Sequence, residues 1–312
     1  MNQLCFGVDI GGTAVKIGLF RSDGTLLHKW SFATKRTNDG KDILRDVASF
    51  VTEKIEEYHL KKEEILGVGV GIPGPVKEDG EVLELPNLGL ASFNIETELE
   101  NLTGLKIKAG NDANVAALGE QWQGSGKGFK NMLMITLGTG VGGGVILNGK
   151  ILPGSNGAAG EIGHLLVNTE ETDRCGCGKI GCLEQYASAT GIVRLAKRKL
   201  KSDTRGSSLR DLQDISAKSV FDHAKRGDII AAEVIDQACK YLGMGLANVA
   251  QVIDPEVFVI GGGVSKAGNI LTELVEKHYN RYVMASLKNK IFKLAILGND
   301  AGIYGSARLL LE

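Results

Sequence analysis

Apolar residues in this chain come in short runs closed by glycine. Leu4 to Ile10 is one such run, Gly11-Gly12-Thr13 breaks it, and Ala14 to Phe20 resumes the alternation. Ser22-Asp23-Gly24 then turns the chain into Thr25 to Phe32, so the opening reads strand, glycine turn, strand, turn, strand. Near residues 40–59 the period changes. Ile43, Val47, Phe50, Val51 and Ile55 recur at three- and four-residue spacing and predict a helix. Ile65 to Ile72 returns to a buried strand stopped by Pro73-Gly74-Pro75. Beyond Pro86-Asn87-Leu88, a short strand from Lys106 to Ala109 leads through Asn111-Asp112 into a helix from about Ala113 to Trp122.

The opening pattern then recurs. Asn131 to Leu137 is a strand, Gly138-Thr139-Gly140 a turn, Val141 to Leu147 a strand, and Asn148-Gly149 a hairpin signal before Lys150-Ile151-Leu152. A long helical region follows from about 189 to 253. Val257 to Ile260 reads as a strand stopped by Gly261-Gly262-Gly263, Lys266 to Met284 as a helix, Ile291 to Leu297 as a strand and Gly302 to Leu311 as a final helix. Two related halves of mixed α/β structure account for this recurrence; chance similarity between common hairpins is the alternative.

Composition narrows the classes. At 312 residues the chain has room for two domains, and 43% hydrophobic with 23% charged residues is a globular balance. Net charge is -1, with no basic run to suggest nucleic acid or an anionic membrane as partner. The apolar runs are too short to span a bilayer, and the first residues lack the pattern of a signal peptide. A cytoplasmic location is expected. Glycine is in excess, 43 residues in all, and sits in tight loops beside apolar runs. The odd count of five cysteines argues against a disulfide framework. Cys5 and Cys239 lie in apolar patterns and read as buried thiols.

The glycine turns carry candidate chemistry. Gly11, Gly12 and Thr13, and again Gly138, Thr139 and Gly140, could aim backbone N–H groups and a hydroxyl at phosphate oxygens. Tight structural hairpins are the alternative reading. Neither common nucleotide fingerprint is present. Asp9 ends a buried strand, where a carboxylate needs a partner; Mg²⁺ held through water would serve. Gly261-Gly262-Gly263 could admit a flat ring such as adenine, or form a plain strand–helix turn.

His164, Cys175, Cys177 and Cys182 form the spacing His-x10-Cys-x-Cys-x4-Cys. One imidazole and three thiolates suit tetrahedral Zn²⁺, and four protein donors close its shell, making such a site structural. Folding that loop brings Glu161 and Glu184 toward one place, where carboxylates could bind sugar hydroxyls or remain solvated surface acids.

Taken in order, these residues resemble the ROK family (repressors, open reading frames and kinases), especially its bacterial glucokinases. The resemblance rests on Asp9-Ile10-Gly11-Gly12-Thr13 with Lys16, Gly71-Ile72-Pro73-Gly74-Pro75, Pro86-Asn87-Leu88 and Asn111-Asp112-Ala113-Asn114. It continues through Gly138 to Gly144, Gly160-Glu161-Ile162-Gly163-His164, Cys175-Gly176-Cys177-Gly178 and Gly181-Cys182-Leu183-Glu184. It implies a two-lobed actin-like ATPase (ribonuclease H-like) fold, with lobes of residues 1–118 plus 298–312 and 119–297. It implies Asp112 as catalytic base and Gly74, Asn111, Glu161, His164 and Glu184 at the sugar. It puts ATP, with Mg²⁺, at Asp9, Gly11, Gly12, Thr13, Lys16, Gly138, Thr139, Gly140 and Gly261 to Gly263. A homo-oligomer, dimer or tetramer, is also implied. One departure is that family glucokinases often carry tryptophan shortly after Pro-Asn-Leu, where this chain has Gly89 to Phe93.

The expected reaction is transfer of the ATP γ-phosphoryl group to a hexose, with O6 of glucose first. Fructose, mannose or an N-acetylhexosamine are the alternative acceptors. A sugar-sensing regulator is the remote alternative; such relatives carry a DNA-binding segment ahead of Asp9, where only eight residues stand here.

Overall fold

A computed structural model of the chain describes residues 3–35, 37, 41–83 and 89–311. The Pro86-Asn87-Leu88 turn lies outside the described residues. Contacts divide the chain into two compact units: Met1–Lys130 with Gly144–Gly160 and Leu297–Glu312, and Asn131–Gly143 with Glu161–Ile296.

In the first unit the strands are β1 (Leu4–Ile10), β2 (Ala14–Arg21), β3 (Leu26–Ala33), β4 (Ile65–Ile72), the short pair β5 (Glu81–Val82) and β6 (Phe93–Asn94), and β7 (Ile107–Asn111). The helices are α1 (Lys41–Glu57), α2 (Ile95–Thr103) and α3 (Asp112–Gln123). The main sheet runs β3-β2-β1-β4-β7, antiparallel across β3, β2 and β1 and parallel from β1 to β4 to β7. Residues 95–103, where no element is expected from the pattern above, form α2. Its signals are present in the sequence: Ile95, Leu99 and Leu102 share a face, the Asn94 side chain caps the Thr97 N–H at 2.9 Å, and Gly104 ends the helix at φ 65°.

Alternation along β1 explains its two faces. Phe6, Val8 and Ile10 enter one apolar cluster with Val15, Ile17, Leu19 and the inner side of α1. Cys5 turns the other way, into a cluster with Phe20, Ile303, Ala307 and Leu310. The intervening positions on that face are small so that the C-terminal helix can lie on the sheet. A Cβ on Gly7 would stand 2.0 Å from the Ile303 carbonyl oxygen, and one on Gly69 would stand 1.7 Å from that of Ser306. Much of the glycine excess therefore serves backbone-to-backbone packing rather than loops. The tightest case among the described residues is Gly305, where a Cβ would stand 1.5 Å from the Val115 carbonyl oxygen of α3. Neither backbone can yield, so Gly305→Ala should cost about 3 kcal/mol or more of stability in a urea melt. A loss below about 1 kcal/mol would contradict this contact.

The remaining elements are β8 (Met132–Leu137), β9 (Val141–Leu147), β10 (Lys150–Ile151), α4 (Glu184–Ala187), α5 (Ala189–Ser202), α6 (Ala217–Lys225), α7 (Ile229–Ile253), β11 (Val257–Gly261), α8 (Asn269–Tyr282), β12 (Ile291–Leu294) and α9 (Ala301–Arg308). The second sheet runs β10-β9-β8-β11-β12, again with parallel pairing along its last three strands. The division between units falls within β9, at Gly143 and Gly144. The matching strand orders bear out the expected repetition of one α/β topology.

The helical region expected at 189–253 is made of three helices, α5, α6 and α7. Asp228 stops its continuity by capping α7, accepting the Ala231 N–H at 3.0 Å, and Ser216 with Ser219 forms a capping box that starts α6. The helix expected from Lys266 begins instead at Asn269, because Gly268 at φ 81° separates it from a 3₁₀ turn over Gly263–Ala267. No helix among the described residues is long and apolar enough to cross a membrane.

Candidate active site and metal cluster

Two junctions of the first unit hold its candidate residues. Asp9 and Lys16 face one another across β1 and β2, with Lys16 Nζ 3.4 Å from Asp9 Oδ2 and 2.9 Å from the Asn299 carbonyl oxygen. Burial raises the Asp9 carboxyl above its ordinary range, and Lys16 opposes that shift. Between them the turn closes by a Gly11 N–H to Ala14 carbonyl bond of 3.0 Å, leaving the Thr13 hydroxyl exposed.

At the second junction, β7 runs directly into α3. Asn111 is the helix cap: its Oδ1 accepts from the N–H groups of Ala113 and Asn114 at 3.0 and 3.1 Å, and its Nδ2 donates to the Gly74 carbonyl at 2.9 Å. Asp112 is the first residue of α3 and is exposed, with Oδ1 accepting the Ala113 N–H at 2.8 Å. A carboxylate there sits at the positive end of the helix dipole. Gly74, Asn111 and Asp112 are thus brought together by one capping arrangement.

The second unit builds a compact polar centre. A tight hairpin forms as Cys175 donates its N–H to the Lys179 carbonyl at 2.7 Å and Gly178 donates to the Cys175 carbonyl at 2.9 Å. The His164 segment is tied alongside by a Leu183 N–H to Leu165 carbonyl bond of 2.9 Å. The ligand atoms of His164, Cys175, Cys177 and Cys182 all lie within 4.8 Å of one another. Cys177 and Cys182 sulfurs are 3.6 Å apart, and His164 Nδ1 is 3.8 Å from Cys175 Sγ. A tetrahedron with Zn–S bonds of ~2.3 Å has edges of ~3.8 Å, so the donor spacing fits that ion. Burial pushes the Cys182 thiol up to about 12, so a thiolate forms there only with a cation beside it.

Glu184 begins α4 next to this cluster. Its Oε2 accepts the Val141 N–H at 3.0 Å, and Cys175 Sγ lies 3.7 Å from Oε1. Gly140 makes the approach possible, since a Cβ there would stand 2.2 Å from Glu184 Oε2. The glycine of this turn therefore seats a carboxylate. Gly138 has open space where its Cβ would be, and the Thr139 hydroxyl is exposed. Glu161 is exposed and its side chain makes no hydrogen bond among the described residues. Gly261 ends β11, and Gly262 and Gly263 lead on into the 3₁₀ turn, with Gly262 pressed against the Leu137 backbone.

One group of residues is absent from the sequence reading. Glu171, with a side chain 1% exposed, accepts from Tyr186 Oη at 2.6 Å, Arg194 at 2.8 Å and Arg198 at 2.8 Å. Arg194 also donates to the Gln185 carbonyl at 2.9 Å, and Gln185 links the Cys182 N–H to the Asp173 carbonyl at 3.0 and 2.9 Å. This network clamps the cysteine loop onto the helix of Glu184. The signal was available as two arginines one helical turn apart, facing an acid just before the first cysteine. Burial alone would raise the Glu171 pKa; Arg198, Tyr186, the Asp173 N–H and Arg194 outweigh it and hold it well below the carboxylate range. A depressed folded pKa gives stability that is present above about pH 4.3 and lost as pH falls toward the folded value. Glu171→Gln should therefore cost about 3 kcal/mol at neutral pH, with the gap from wild type closing below pH ~4. Urea melts at several pH values check this; a pH-independent gap would contradict it.

Comparison with known proteins places the chain. Residues 5–312 match the model of the ROK family. A glucokinase of Halalkalibacterium halodurans is 42% identical, over 98% of this chain and 94% of the relative. Among solved structures, a ROK hexokinase from Thermus thermophilus is 32% identical with a TM-score of 0.83, covering 98% of this chain and 97% of that one. A ROK glucokinase from Streptomyces griseus, in complex with glucose and AMPPNP, is 32% identical with a TM-score of 0.75 and 98% coverage of both chains. The chain belongs to the ROK family, and its fold is the actin-like ATPase fold of the ROK sugar kinases.

Proposed function

We propose that this protein is an ATP-dependent glucose kinase that transfers the γ-phosphoryl group to O6. The observation that carries this reading is 42% identity, over nearly the full length, to a glucokinase. In the proposed reaction Asp112 orients the sugar hydroxyl and accepts its proton as the oxygen attacks phosphorus in line. A carboxylate is a weak base, so proton transfer comes late and orientation is the larger contribution. Gly74, Asn111, Glu161, His164 and Glu184 are the proposed sugar contacts. Since Asn111 Oδ1 is engaged as helix cap, its contribution to the sugar would come from the remaining N–H of Nδ2.

Backbone N–H groups of Gly11 to Thr13 and Gly138 to Gly140 are proposed to hold the phosphates, with Gly261 to Gly263 at the adenosine. Asp9, kept beside Lys16, would bind the Mg²⁺ of MgATP through water. His164, Cys175, Cys177 and Cys182 would hold Zn²⁺, which when bound fixes the loop geometry and the His164 ring. With Nδ1 facing the cluster, His164 Nε2 is left to meet a sugar hydroxyl. Two lobes are the proposed domain plan, with the first bound moved from 118–119 to the end of the contact unit at Lys130 so that α3 stays whole, and a homo-oligomer is the proposed assembly. A cytoplasmic location is proposed with this reading, since Cys5 and Cys239, outside the cluster, are buried and unpaired.

Gly140→Ala offers a local check. The Cβ would meet the movable end of Glu184 while the Gly140 N–H stays available to a phosphate, so folding should be preserved and the KM for sugar should rise about tenfold, more than the KM for ATP. An unchanged sugar KM would remove Glu184 from the sugar site. The proposed function itself is tested by coupled ADP release across glucose, fructose, mannose and N-acetylglucosamine. Glucose should give the largest kcat/KM. A larger value for another sugar would reassign the substrate, and no sugar-dependent ADP release would overturn the reading.

A further inference from the structure

We propose that a cavity at the edge of the first sheet is a second, non-catalytic site, and that it takes a phosphorylated sugar. The cavity has a volume of about 300 Å³ and lies along β7, the last strand in its sheet order. Four lysines line it: Lys77, Lys106, Lys108 and Lys150. Two are committed within the protein, Lys77 to Glu81 and Lys108 to Glu96 at 3.0 Å. Lys106 and Lys150 have no ion pair among the described residues. These two ammonium groups could pair with the oxygens of a phosphate monoester.

The rest of the wall asks for hydroxyls. Asn114 is only 4% exposed, lines the cavity, and its Oδ1 has no hydrogen-bond partner. A buried acceptor left without a donor is costly, and a ligand hydroxyl would relieve it. The Glu78 carboxylate, also on the wall, is a second acceptor. Val76, Ile151 and Leu309 supply apolar surface for the C–H face of a sugar ring. None of the lining residues is aromatic, so the site lacks the stacking platform a nucleobase would use. Phosphate, hydroxyls and a saturated ring describe a sugar phosphate better than a nucleotide or bare phosphate.

The position gives such a ligand a consequence. Asn111, which also lines the cavity, caps the helix that begins with Asp112 and holds the Gly74 carbonyl. A bound sugar phosphate would therefore adjust the junction that presents the proposed base, giving feedback from a product-like molecule. Binding stands without the kinase reading; only this effect on turnover rests on it.

The test is calorimetric titration of glucose 6-phosphate into the full-length protein, held at saturating glucose and AMPPNP so that the substrate positions are occupied. We expect saturable one-to-one binding. Lys106→Gln with Lys150→Gln, two exposed positions, should weaken it at least tenfold while turnover without added sugar phosphate stays unchanged. Inorganic phosphate should bind at least tenfold more weakly than the ester. Loss of all binding under saturating substrates, or equal affinity in the double variant, would overturn the site. Equal affinity for inorganic phosphate would overturn the sugar part. A protein that binds the ester but shows no sugar-dependent ADP release would fail the kinase reading and leave this site standing.

Discussion

Asp112→Asn should fold like the parent protein, bind sugar with little change in KM, and lose between about 10² and 10⁴ in kcat. The residue is exposed at the first position of α3, so no core contact is lost. Asparagine keeps the size, the helix-start preference and one acceptor oxygen for the Ala113 N–H, which now reaches Asp112 Oδ1 at 2.8 Å. What it loses is the negative charge that orients the hydroxyl and takes its proton. Steady-state kinetics separate the two possibilities. Loss of kcat at constant KM marks an interaction made in the transition state, whereas turnover within a few-fold of the parent would remove Asp112 as base.

The second large effect is expected from the cysteine loop. Cys182→Ser, or removal of metal by a chelator, should raise the sugar KM tenfold or more and lower stability, with little change in the KM for ATP. Cys182 is 1% exposed and its N–H is held by Gln185 at 3.0 Å. The loop and the helix of Glu184 therefore move together. Metal content by mass spectrometry should fall from one zinc per chain toward none in the variant. A metal-free protein with unchanged sugar affinity would separate the cluster from the sugar site.

How legible the molecule was in its sequence depended on the range of the interactions. Strands β1, β2, β8 and β9 were readable because alternation and glycine turns are local signals, and the cysteine cluster because donor type and spacing are fixed by the metal's chemistry. The breaks within 189–253 and the start of α8 were missed, although Asp228, Ser216 and Gly268 are recognisable caps and breakers. Contacts made between distant segments left weaker marks. The closeness of Gly305 to Val115, the seating of Glu184 against Gly140, and the hub at Glu171 each join residues far apart in the chain. Pattern alone reads such glycines as turns and such acids as surface. Asn111 shows the same limit: the resemblance implies it at the sugar, while only the fold shows its side-chain oxygen capping α3.

The most direct measurement is ³¹P NMR of the protein incubated with MgATP and glucose. The account predicts loss of the γ-phosphate signal, growth of ADP, and one new phosphate-ester signal matching glucose 6-phosphate, all dependent on glucose and abolished in Asp112→Asn. Release of inorganic phosphate without a sugar ester, or no reaction with any hexose supplied, would contradict it.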